Sequence, residues 1–371
     1  MNKKVAYFID TFFEINGVAR TSQALLEQCK KEGREFKFIT TYKGDYDVSS
    51  VSNFKPIISM PLPYYPELQL NICGFFEILR FCKREKFDII YAPTPGVLGI
   101  YAVIISRILK LPLVSAFHTD FTSYMQKYTG SRLITKISKF FLRQTYNRSV
   151  RVLCPSKTYK DILIDCGVRE EAIKIFTRGA NTQKFNISFR DDNFWSQYIP
   201  HYHGETVVLY VGRVSDEKNI SIFISLSEYF SLFDVSFVIV GDGPARKKLQ
   251  ESAHNVIFTG FFTGETLSKS YASSDIFLFP SETETFGNVI LEACASGLCP
   301  IVSNKGASSE HIERGVNGYI AGSFEEYAKI LKELFEDKEL LNSIRTNAFS
   351  SVENVDANRL LSVMLDLIEL K

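Results

Sequence analysis

Metal-binding and disulfide-forming residues are scarce in this sequence. Its 371 residues include only five histidines and seven cysteines, and neither type occurs at metal-ligand spacing. The cysteines stand singly, at Cys29, Cys73, Cys82, Cys154, Cys166, Cys294 and Cys299. This distribution argues against a zinc site or a disulfide framework and favours a reducing compartment. We expect no bound metal, and cysteines that pack as small core residues.

Long hydrophobic runs are also missing. The apolar segment 5–9 ends at Asp10, which makes it too short for the apolar region of a signal peptide. A second segment, 97–106, is closed by Arg107 and Lys110 and falls short of the roughly 20 residues that cross a bilayer. The sequence therefore predicts a cytoplasmic protein.

An even distribution of charge is the third absence. The formal net charge is only +1, yet residues 1–195 carry 29 Lys and Arg against 18 Asp and Glu. Residues 196–371 carry 14 Lys and Arg against 24 Asp and Glu. The first half is therefore basic and the second acidic, and we expect the halves to differ in electrostatic role.

Strand-like and helix-like segments alternate through both halves. Examples from the first half are β-type runs at 89–92 and 113–117 around a helical pattern at 97–110. The alternation restarts after a polar, irregular stretch at 186–204, and such alternation is typical of βαβ units around a parallel sheet. We predict an α/β protein with Rossmann-like domains at residues 1–190 and 206–353. A linker at 191–205 would join them, and a C-terminal helix at 354–371 would be free to pack back on the first domain.

The most informative motif follows a predicted strand at 275–280. It reads Ser281-Glu-Thr-Glu284-Thr-Phe286-Gly287-Asn288-Val289-Ile-Leu-Glu292. Ligands of open α/β sheets bind beyond the carboxyl ends of strands, and the helix start near Gly287 offers N–H groups to an anion. Glu284 suits sugar hydroxyls and Glu292 suits ribose hydroxyls. The alternative is that Glu282 and Glu284 are helix N-terminal acids and Glu292 is a surface residue, although an unpaired acid in an apolar helix would be costly.

Two glycine-containing loops add to this motif. Arg213 and Lys218 follow the predicted strand 207–211, where two cations suit a diphosphate; the alternative is local pairing with Asp216 and Glu217. The segment 241–246, Gly-Asp-Gly-Pro-Ala-Arg, lacks the third glycine of a dinucleotide fingerprint. It predicts a tight turn at which a ligand approaches Gly243.

These motifs together resemble the retaining GT-B glycosyltransferases of family 4. Glu284 and Glu292 match the family's two acids, and Arg213 and Lys218 match its phosphate-binding cations. The amino-acid sequences of segments 241–246, 258–261 and 271–275 resemble those of bacterial GDP-mannose-dependent α-mannosyltransferases and of diacylglycerol or sulfolipid glycosyltransferases. The first half resembles the family more loosely. There, Asn16-Gly17 stands at the first glycine loop and His118 at the active-site histidine, whereas Asn181 replaces the acid of a loop that usually reads Gly-Val-Asp.

The resemblance implies a metal-free transfer from a nucleotide-diphosphate sugar, either GDP-mannose or a UDP-sugar. The cations and the helix start would stabilise the leaving diphosphate, while the acceptor hydroxyl attacks from the same face and gives its proton to a donor phosphate oxygen. The implied catalytic residues are His118, Glu284, Arg213 and Lys218. The implied donor-binding residues are Gly17, Arg213, Lys218, Gly243, Glu284, Phe286, Gly287, Asn288, Val289 and Glu292.

A basic helical pattern predicts where the acceptor is met. Arg132, Lys136, Lys139 and Arg143 share one helix face, next to the apolar residues Leu133, Ile137, Phe140 and Phe141. Such a helix can lie on anionic lipid, with about 1 kcal/mol gained per cation near the surface. We therefore expect a lipid-linked acceptor at the inner face of a membrane; the alternative is an ordinary solvated helix face.

Three other functions stay open at this point. A nucleotide-sugar 2-epimerase would share the donor site but would need no acceptor surface. A non-catalytic sugar-nucleotide-binding relative would not need the two acids and two cations. The basic stretch alone also suits a nucleic-acid binder, but it contains no recognised motif, so we expect no nucleic-acid partner.

Overall fold

The computed structural model describes residues 3–14, 17–45, 48–62, 65–118, 131–176, 179–353, 355 and 357–371. These residues form two compact units. Unit 1 comprises Met1–Thr177 with Asn358–Lys371, and unit 2 comprises Arg178–Ala357. Each unit contains a parallel sheet with helices, so the predicted α/β class with two Rossmann-like halves is confirmed.

The described part of unit 1 is built on a seven-stranded parallel sheet in the order β3-β2-β1-β6-β7-β8-β9, with β4 and β5 as a separate antiparallel pair. Its strands are β1 (Val5–Phe8), β2 (Phe36–Thr40), β3 (Val51–Asn53), β4 (Ile58–Leu62), β5 (Tyr65–Ile72), β6 (Ile89–Ala92), β7 (Leu113–Ala116), β8 (Arg151–Cys154) and β9 (Ile173–Ile175). Its helices are α1 (Gly17–Glu32), α2 (Phe75–Glu85), α3 (Val97–Leu109), α4 (Arg132–Tyr146), α5 (Lys157–Asp165) and the C-terminal α12 (Ala357–Ile368).

Alternate residues of β1 supply the two hydrophobic cores of unit 1. Val5 and Tyr7 belong to the core on one side of the sheet, whereas Ala6 and Phe8 belong to the core on the other side. Both sides are covered, which explains why the central strand reads as a continuous apolar run. All seven cysteines of the chain are buried, as expected for small core residues.

The C-terminal helix α12 completes the first of these cores. Leu365 packs in the same cluster as Tyr7 and Leu25. The side chain of Arg34 is mostly buried and lies 2.8 Å from Asp366 and 3.2 Å from the fully buried Glu369. The last residues of the chain therefore fold with unit 1 rather than with the unit that precedes them.

The described part of unit 2 has a six-stranded parallel sheet in the order β12-β11-β10-β13-β14-β15. Its strands are β10 (Thr206–Val211), β11 (Val235–Val240), β12 (Val256–Gly260), β13 (Ile276–Phe279), β14 (Cys299–Ser303) and β15 (Tyr319–Ala321). Its helices are α6 (Ile220–Tyr229), α7 (Arg246–Ser252), α8 (Gly264–Ala272), α9 (Asn288–Ala295), α10 (Phe324–Glu336) and α11 (Lys338–Glu353).

The expected linker at 191–205 is part of the core of unit 2. Trp195 is fully buried and its indole N–H donates to Ser274 Oγ at 3.2 Å. Phe185, upstream of the expected linker, packs against the ring of Tyr271. The division between the units therefore falls at Thr177 rather than at 190. The polar composition of this stretch hid a few large apolar side chains with no regular spacing.

Candidate functional site

The reversal of strand order in unit 2 brings two of the expected residues together. Strand β10 lies between β11 and β13, and ligands of open α/β sheets bind at such a reversal. Lys218 follows β10, Glu284 follows β13, and Lys218 Nζ donates to Glu284 Oε1. Both side chains are mostly buried but keep some contact with solvent. A cation and an acid are thus held side by side at the carboxyl edge of the sheet.

Arg213 is anchored by a neighbour in its own loop. Its Nη1 lies 3.6 Å from Glu217 Oε1, and Glu217 is almost completely buried. Burial alone would raise the pKa of Glu217, but hydrogen bonds and the charges of Arg213 and Lys218 lower it overall. The local pairing considered for this loop therefore exists for Glu217. It holds the guanidinium within the loop after β10, the loop that also carries Lys218.

Helix α9 begins beside this loop with an N-terminus suited to an anion. Gly287 precedes the helix at φ 85°, and a Cβ there would lie 2.7 Å from Ile290 Cδ1. Glycine is therefore required to turn the loop into the helix. The first N–H groups of a helix, here those of Asn288 and Val289, have no partner within it and carry the positive end of its dipole.

Glu292, one turn into α9, has a partner that the sequence reasoning missed. The hydroxyl of Tyr271 donates to Glu292 Oε2 at 3.0 Å, and Tyr271 itself is fully buried in α8. The acid in an apolar helix is thus held in place by a tyrosine 21 residues away. Tyr271 lay within a segment noted for family resemblance, but no local pattern links it to Glu292.

A segment after β14 supports the loop between β13 and α9. The N–H of Ala307 donates to the carbonyl of Glu284 at 2.9 Å, and His311 Nε2 lies in hydrogen-bonding contact with the carbonyl of Phe286. The rings of Phe286 and His311 meet edge to face at 4.8 Å. Burial lowers the pKa of His311, so the ring is neutral at pH 7 and its Nε2–H is the donor. Phe286 was expected to contact the nucleotide-sugar donor, but its side chain is buried in the core.

Gly243 has a structural reason within the protein. A Cβ at this position would lie 2.3 Å from the carbonyl oxygen of Val214. Similarly, a Cβ at Gly241 would lie 1.8 Å from the carbonyl oxygen of Gly212. The two glycines therefore let the loop after β11 pack directly on the loop after β10, which carries Arg213.

The expected residues of unit 1 also follow strands. Gly17 is the first residue of α1 and is exposed. His118 lies two residues after β7, half-buried, with its ring edge-on to Phe176. Asn16, Thr119, Asp120 and Arg178 lie outside the described residues, so the structure leaves their parts of these motifs open.

Two further acids follow β1, where the sequence reasoning gave no acid a role. Asp10 is half-buried and accepts hydrogen bonds from Leu98 N–H at 2.9 Å and Thr94 Oγ1 at 3.1 Å, which caps α3. Glu14 is half-buried, and burial raises its pKa to about 7, with the nearby charge of Asp10 adding to the shift. Glu14 is therefore a carboxyl group that changes charge near neutral pH.

The basic helix α4 exposes both its cations and an apolar stripe. Lys136, Lys139 and Arg143 are exposed, while the side chain of Arg132 lies outside the described residues. Leu133, Ile137, Phe140 and Phe141 are exposed too, with Phe140 at 64%. Among the described residues of α4, only Leu142 and Tyr146 are buried. In the described part of the chain, no helix has both the length and the apolar character to cross a bilayer.

Comparisons with known proteins agree with this arrangement. The family model for Glycosyltransferase Family 4 matches residues 15–184, and the model for Glycosyl transferases group 1 matches residues 191–351. A GDP-mannose-dependent alpha-mannosyltransferase of Corynebacterium glutamicum is 31% identical over 324 residues, which cover 85% of this chain and 76% of that protein. The chain belongs to this glycosyltransferase family. The enzyme therefore transfers a sugar from a nucleotide sugar, and the family prediction is confirmed.

Two further similarities bear on lipid synthesis and on the fold. An alpha-monoglucosyldiacylglycerol synthase of Streptococcus pneumoniae is 29% identical over 317 residues, covering 81% of this glycosyltransferase and 71% of that protein. The crystal structure of Anabaena HepE in complex with UDP and glucose matches with a TM-score of 0.74 at 20% identity, covering 99% of both chains. This structural likeness confirms the GT-B fold of the glycosyltransferase.

Proposed function

We propose that this glycosyltransferase moves a hexose of the mannose or glucose type, with retention of anomeric configuration, to a hydroxyl of a lipid-linked acceptor. The observation that carries the proposal is the meeting of Lys218, Glu284 and the start of α9 at the strand-order reversal of unit 2. Cations and helix N–H groups suit a diphosphate, and a carboxylate suits sugar hydroxyls. One edge of the sheet thus carries groups that suit both the diphosphate and the sugar of a nucleotide-diphosphate sugar.

The proposed reaction depends on the leaving diphosphate. As the anomeric bond breaks, negative charge accumulates on the phosphate oxygens, and Arg213, Lys218 and the α9 dipole stabilise it without rearranging. Glu217 and Glu284 keep the two cations in place before the donor binds. The acceptor hydroxyl attacks from the face that the diphosphate leaves and gives its proton to a phosphate oxygen. We assign Glu292 to the ribose, and Gly17 and His118 to the donor and the transferred sugar.

The donor is proposed as GDP-mannose or a UDP-sugar. The named activity of the C. glutamicum relative supports the first, and the UDP and glucose of the HepE structure support the second. A panel of GDP- and UDP-sugars, assayed for sugar release and transfer with and without EDTA, tests the proposal. The native enzyme should turn over one donor of the panel, at the same rate with and without EDTA. The variant Lys218→Ala should not turn over that donor. Release of an epimerised nucleotide sugar without any acceptor would instead establish the epimerase.

The acceptor is proposed to lie at the cytoplasmic face of an anionic membrane, with α4 as the contact. Its exposed cations and exposed apolar side chains lie on adjoining sides of one helix, as in helices that rest at a lipid surface. The lipid named in the S. pneumoniae relative supports this assignment. Because surface charges are screened over about 8 Å at physiological salt, binding should weaken as salt rises.

Co-sedimentation with vesicles tests the membrane contact. The native enzyme should bind vesicles of phosphatidylglycerol and phosphatidylcholine at low salt and ignore pure phosphatidylcholine. Changing Lys136, Lys139 and Arg143 together to Gln should abolish binding. Changing three exposed lysines of unit 2, Lys247, Lys248 and Lys332, to Gln is the matched control and should have no effect. Equal binding to both vesicle types would contradict an electrostatic contact.

A further inference from the structure

A second exposed apolar stripe lies on α3, separate from the one on α4. Ile100, Ile104 and Ile108 are spaced four residues apart and therefore share one helix face. All three are exposed, with Ile108 at 47%. The opposite face of α3 packs Leu98, Ala102 and Ile105 into the core against β1 and β6. The isoleucine stripe is thus additional to the apolar surface that the fold itself requires.

Helix α2 extends this stripe into a broader surface. The rings of Phe75 and Tyr101 meet at 5.2 Å, which holds the two helices side by side. Phe76, next to Phe75, is exposed, and Lys83 lies on the same side of α2, two turns further on. Arg107 borders the isoleucines on α3 and is exposed as well. We call the surface made by Phe76, Lys83, Ile100, Ile104, Arg107 and Ile108 the α2–α3 face.

The charge around the α2–α3 face is positive. Residues 75–110 contain six Lys and Arg and three Asp and Glu. Two of those acids are occupied by Lys4: Glu85 binds its ammonium group at 2.9 Å, and Asp88 accepts from its backbone N–H at 2.8 Å. The cations that border these exposed apolar side chains outnumber the nearby acids. Such a surface suits an anionic lipid bilayer, which attracts the cations and accepts the apolar side chains.

The α2–α3 face and α4 lie on the same side of the unit 1 sheet. Leu113 of β7 belongs to the core that α2 and α3 cover. Phe117, four residues on, points to the same side because side chains alternate along a strand, and its ring contacts Tyr146 of α4. The exposed stripe of α4 and the isoleucines of α3 are therefore carried by helices on one side of the unit 1 sheet.

We propose that the α2–α3 face is a second bilayer contact, in which the isoleucines enter the headgroup region of an anionic membrane while Lys83 and Arg107 bind lipid phosphates. The inference rests on the membrane contact proposed for α4 and adds an independent apolar anchor to it. Two separate helical contacts fix an orientation on the bilayer, whereas a single helix leaves rotation about its own axis free.

Tryptophan probes test this contact without disturbing the core. The natural chain contains one tryptophan, Trp195, which is fully buried in unit 2 and hence shielded from lipid. We would prepare Ile104→Trp on the α2–α3 face, Phe140→Trp on α4 and Leu232→Trp in unit 2, where Leu232 is 97% exposed. Brominated phosphatidylglycerol–phosphatidylcholine vesicles should quench the first two probes and leave Leu232→Trp and the native enzyme unquenched.

The outcomes separate this inference from the one on which it rests. Quenching of Phe140→Trp but not of Ile104→Trp would overturn the second contact and leave the α4 contact standing. If neither the native enzyme nor any of the variants binds vesicles, both the α2–α3 contact and the α4 contact are overturned. Changing Ile100, Ile104 and Ile108 together to Asn should lower vesicle affinity at least about tenfold at physiological salt. A self-association of the native enzyme that these three changes abolish, with vesicle binding unchanged, would assign the face to a second copy of the chain instead.

Discussion

Glu292, the residue proposed to bind the ribose, is positioned by a partner from another helix. Tyr271 orients the carboxylate by donating a hydrogen bond to Oε2. We expect Glu292→Ala to weaken donor binding roughly 10- to 100-fold, because hydrogen bonds to a charged group are lost. Tyr271→Phe, which removes only the orienting hydroxyl, should weaken it less than tenfold.

Calorimetric titration of the donor identified by the panel measures both effects. Glu251→Ala is the matched control, since Glu251 is an exposed acid on α7 of the same unit. Unchanged affinity in Glu292→Ala would remove this residue from the donor site, and a larger loss in Tyr271→Phe than in Glu292→Ala would mean that the tyrosine contacts the donor itself.

Arg213 and Lys218 should act on one diphosphate and therefore couple. Each single change to Ala is expected to lower kcat on the order of 100-fold, and the double change should cost less than the product of the two. Steady-state kinetics of the two single variants and the double variant measure the coupling. Full additivity would mean that the cations serve separate groups.

Glu14 should make the stability of unit 1 depend on pH. Its folded pKa of about 7 lies above the value of 4.5 for an unperturbed Glu, so the unfolded chain loses this proton first. Stability linked to Glu14 is therefore full below about pH 4.5 and is lost as pH rises toward 7. Glu14→Gln should raise the melting temperature at about pH 8 and leave it unchanged at about pH 4.

Thermal unfolding of both proteins across this pH range checks the sign. Glu35→Gln, a change at an exposed acid of the same unit, is the control. A gain for Glu14→Gln that is as large at acid pH as at alkaline pH would show that the carboxyl group is not the titrating cause.

At the scale of an element, the loop between β13 and α9 depends on its support after β14. His311 holds the carbonyl of Phe286, immediately before Gly287 and the helix start. His311→Leu should raise the KM for the donor several-fold with a smaller change in kcat, because the loop is loosened while the space stays filled. His311→Gln keeps a hydrogen-bond donor at the position of Nε2 and should restore most of the affinity for the sugar donor.

Donor kinetics of the two variants, with His254→Leu at an exposed position as the control, measure this effect. If Leu and Gln at position 311 behave alike, the hydrogen bond to Phe286 has no part in positioning the loop, and the ring acts only by packing.

At the scale of the whole molecule, the chain's end stabilises its beginning. Leu365 of α12 lies in the core cluster that contains Cys29 of α1, whereas Cys294 lies in the core of unit 2. Leu365→Ala should cost about 2–5 kcal/mol in unit 1. The same change at the fully buried Leu298 should cost a similar amount in unit 2.

Pulsed thiol labelling in denaturant, read by mass spectrometry, distinguishes the two units. In Leu365→Ala, Cys29 should become reactive at a lower denaturant concentration than in the native chain, while Cys294 shifts less. Leu298→Ala should show the reverse order. Equal shifts of both cysteines in both variants would mean that the units unfold as one.

The sequence by itself determined the α/β class, most strands of both sheets and the motifs of the candidate donor site. Buried parallel strands are continuous apolar runs, and phosphate-binding loops use glycine and cations at fixed spacing, so both are local signals. The same locality explains what was missed. The short edge strands β3 and β15, the hairpin β4–β5 and the helix α11 have weak patterns of their own and form against neighbours.

Only the tertiary structure decided which residues meet. Lys218 and Glu284 are 66 residues apart, Tyr271 and Glu292 are 21 apart, and Arg34 and Asp366 are 332 apart. Sheet order brings such pairs together, and sheet order is a property of the folded chain rather than of any segment. For the same reason, the sequence does not distinguish which apolar residues of α3 and α4 are buried in the core and which are exposed. Their exposure depends on which helix face the sheet already covers.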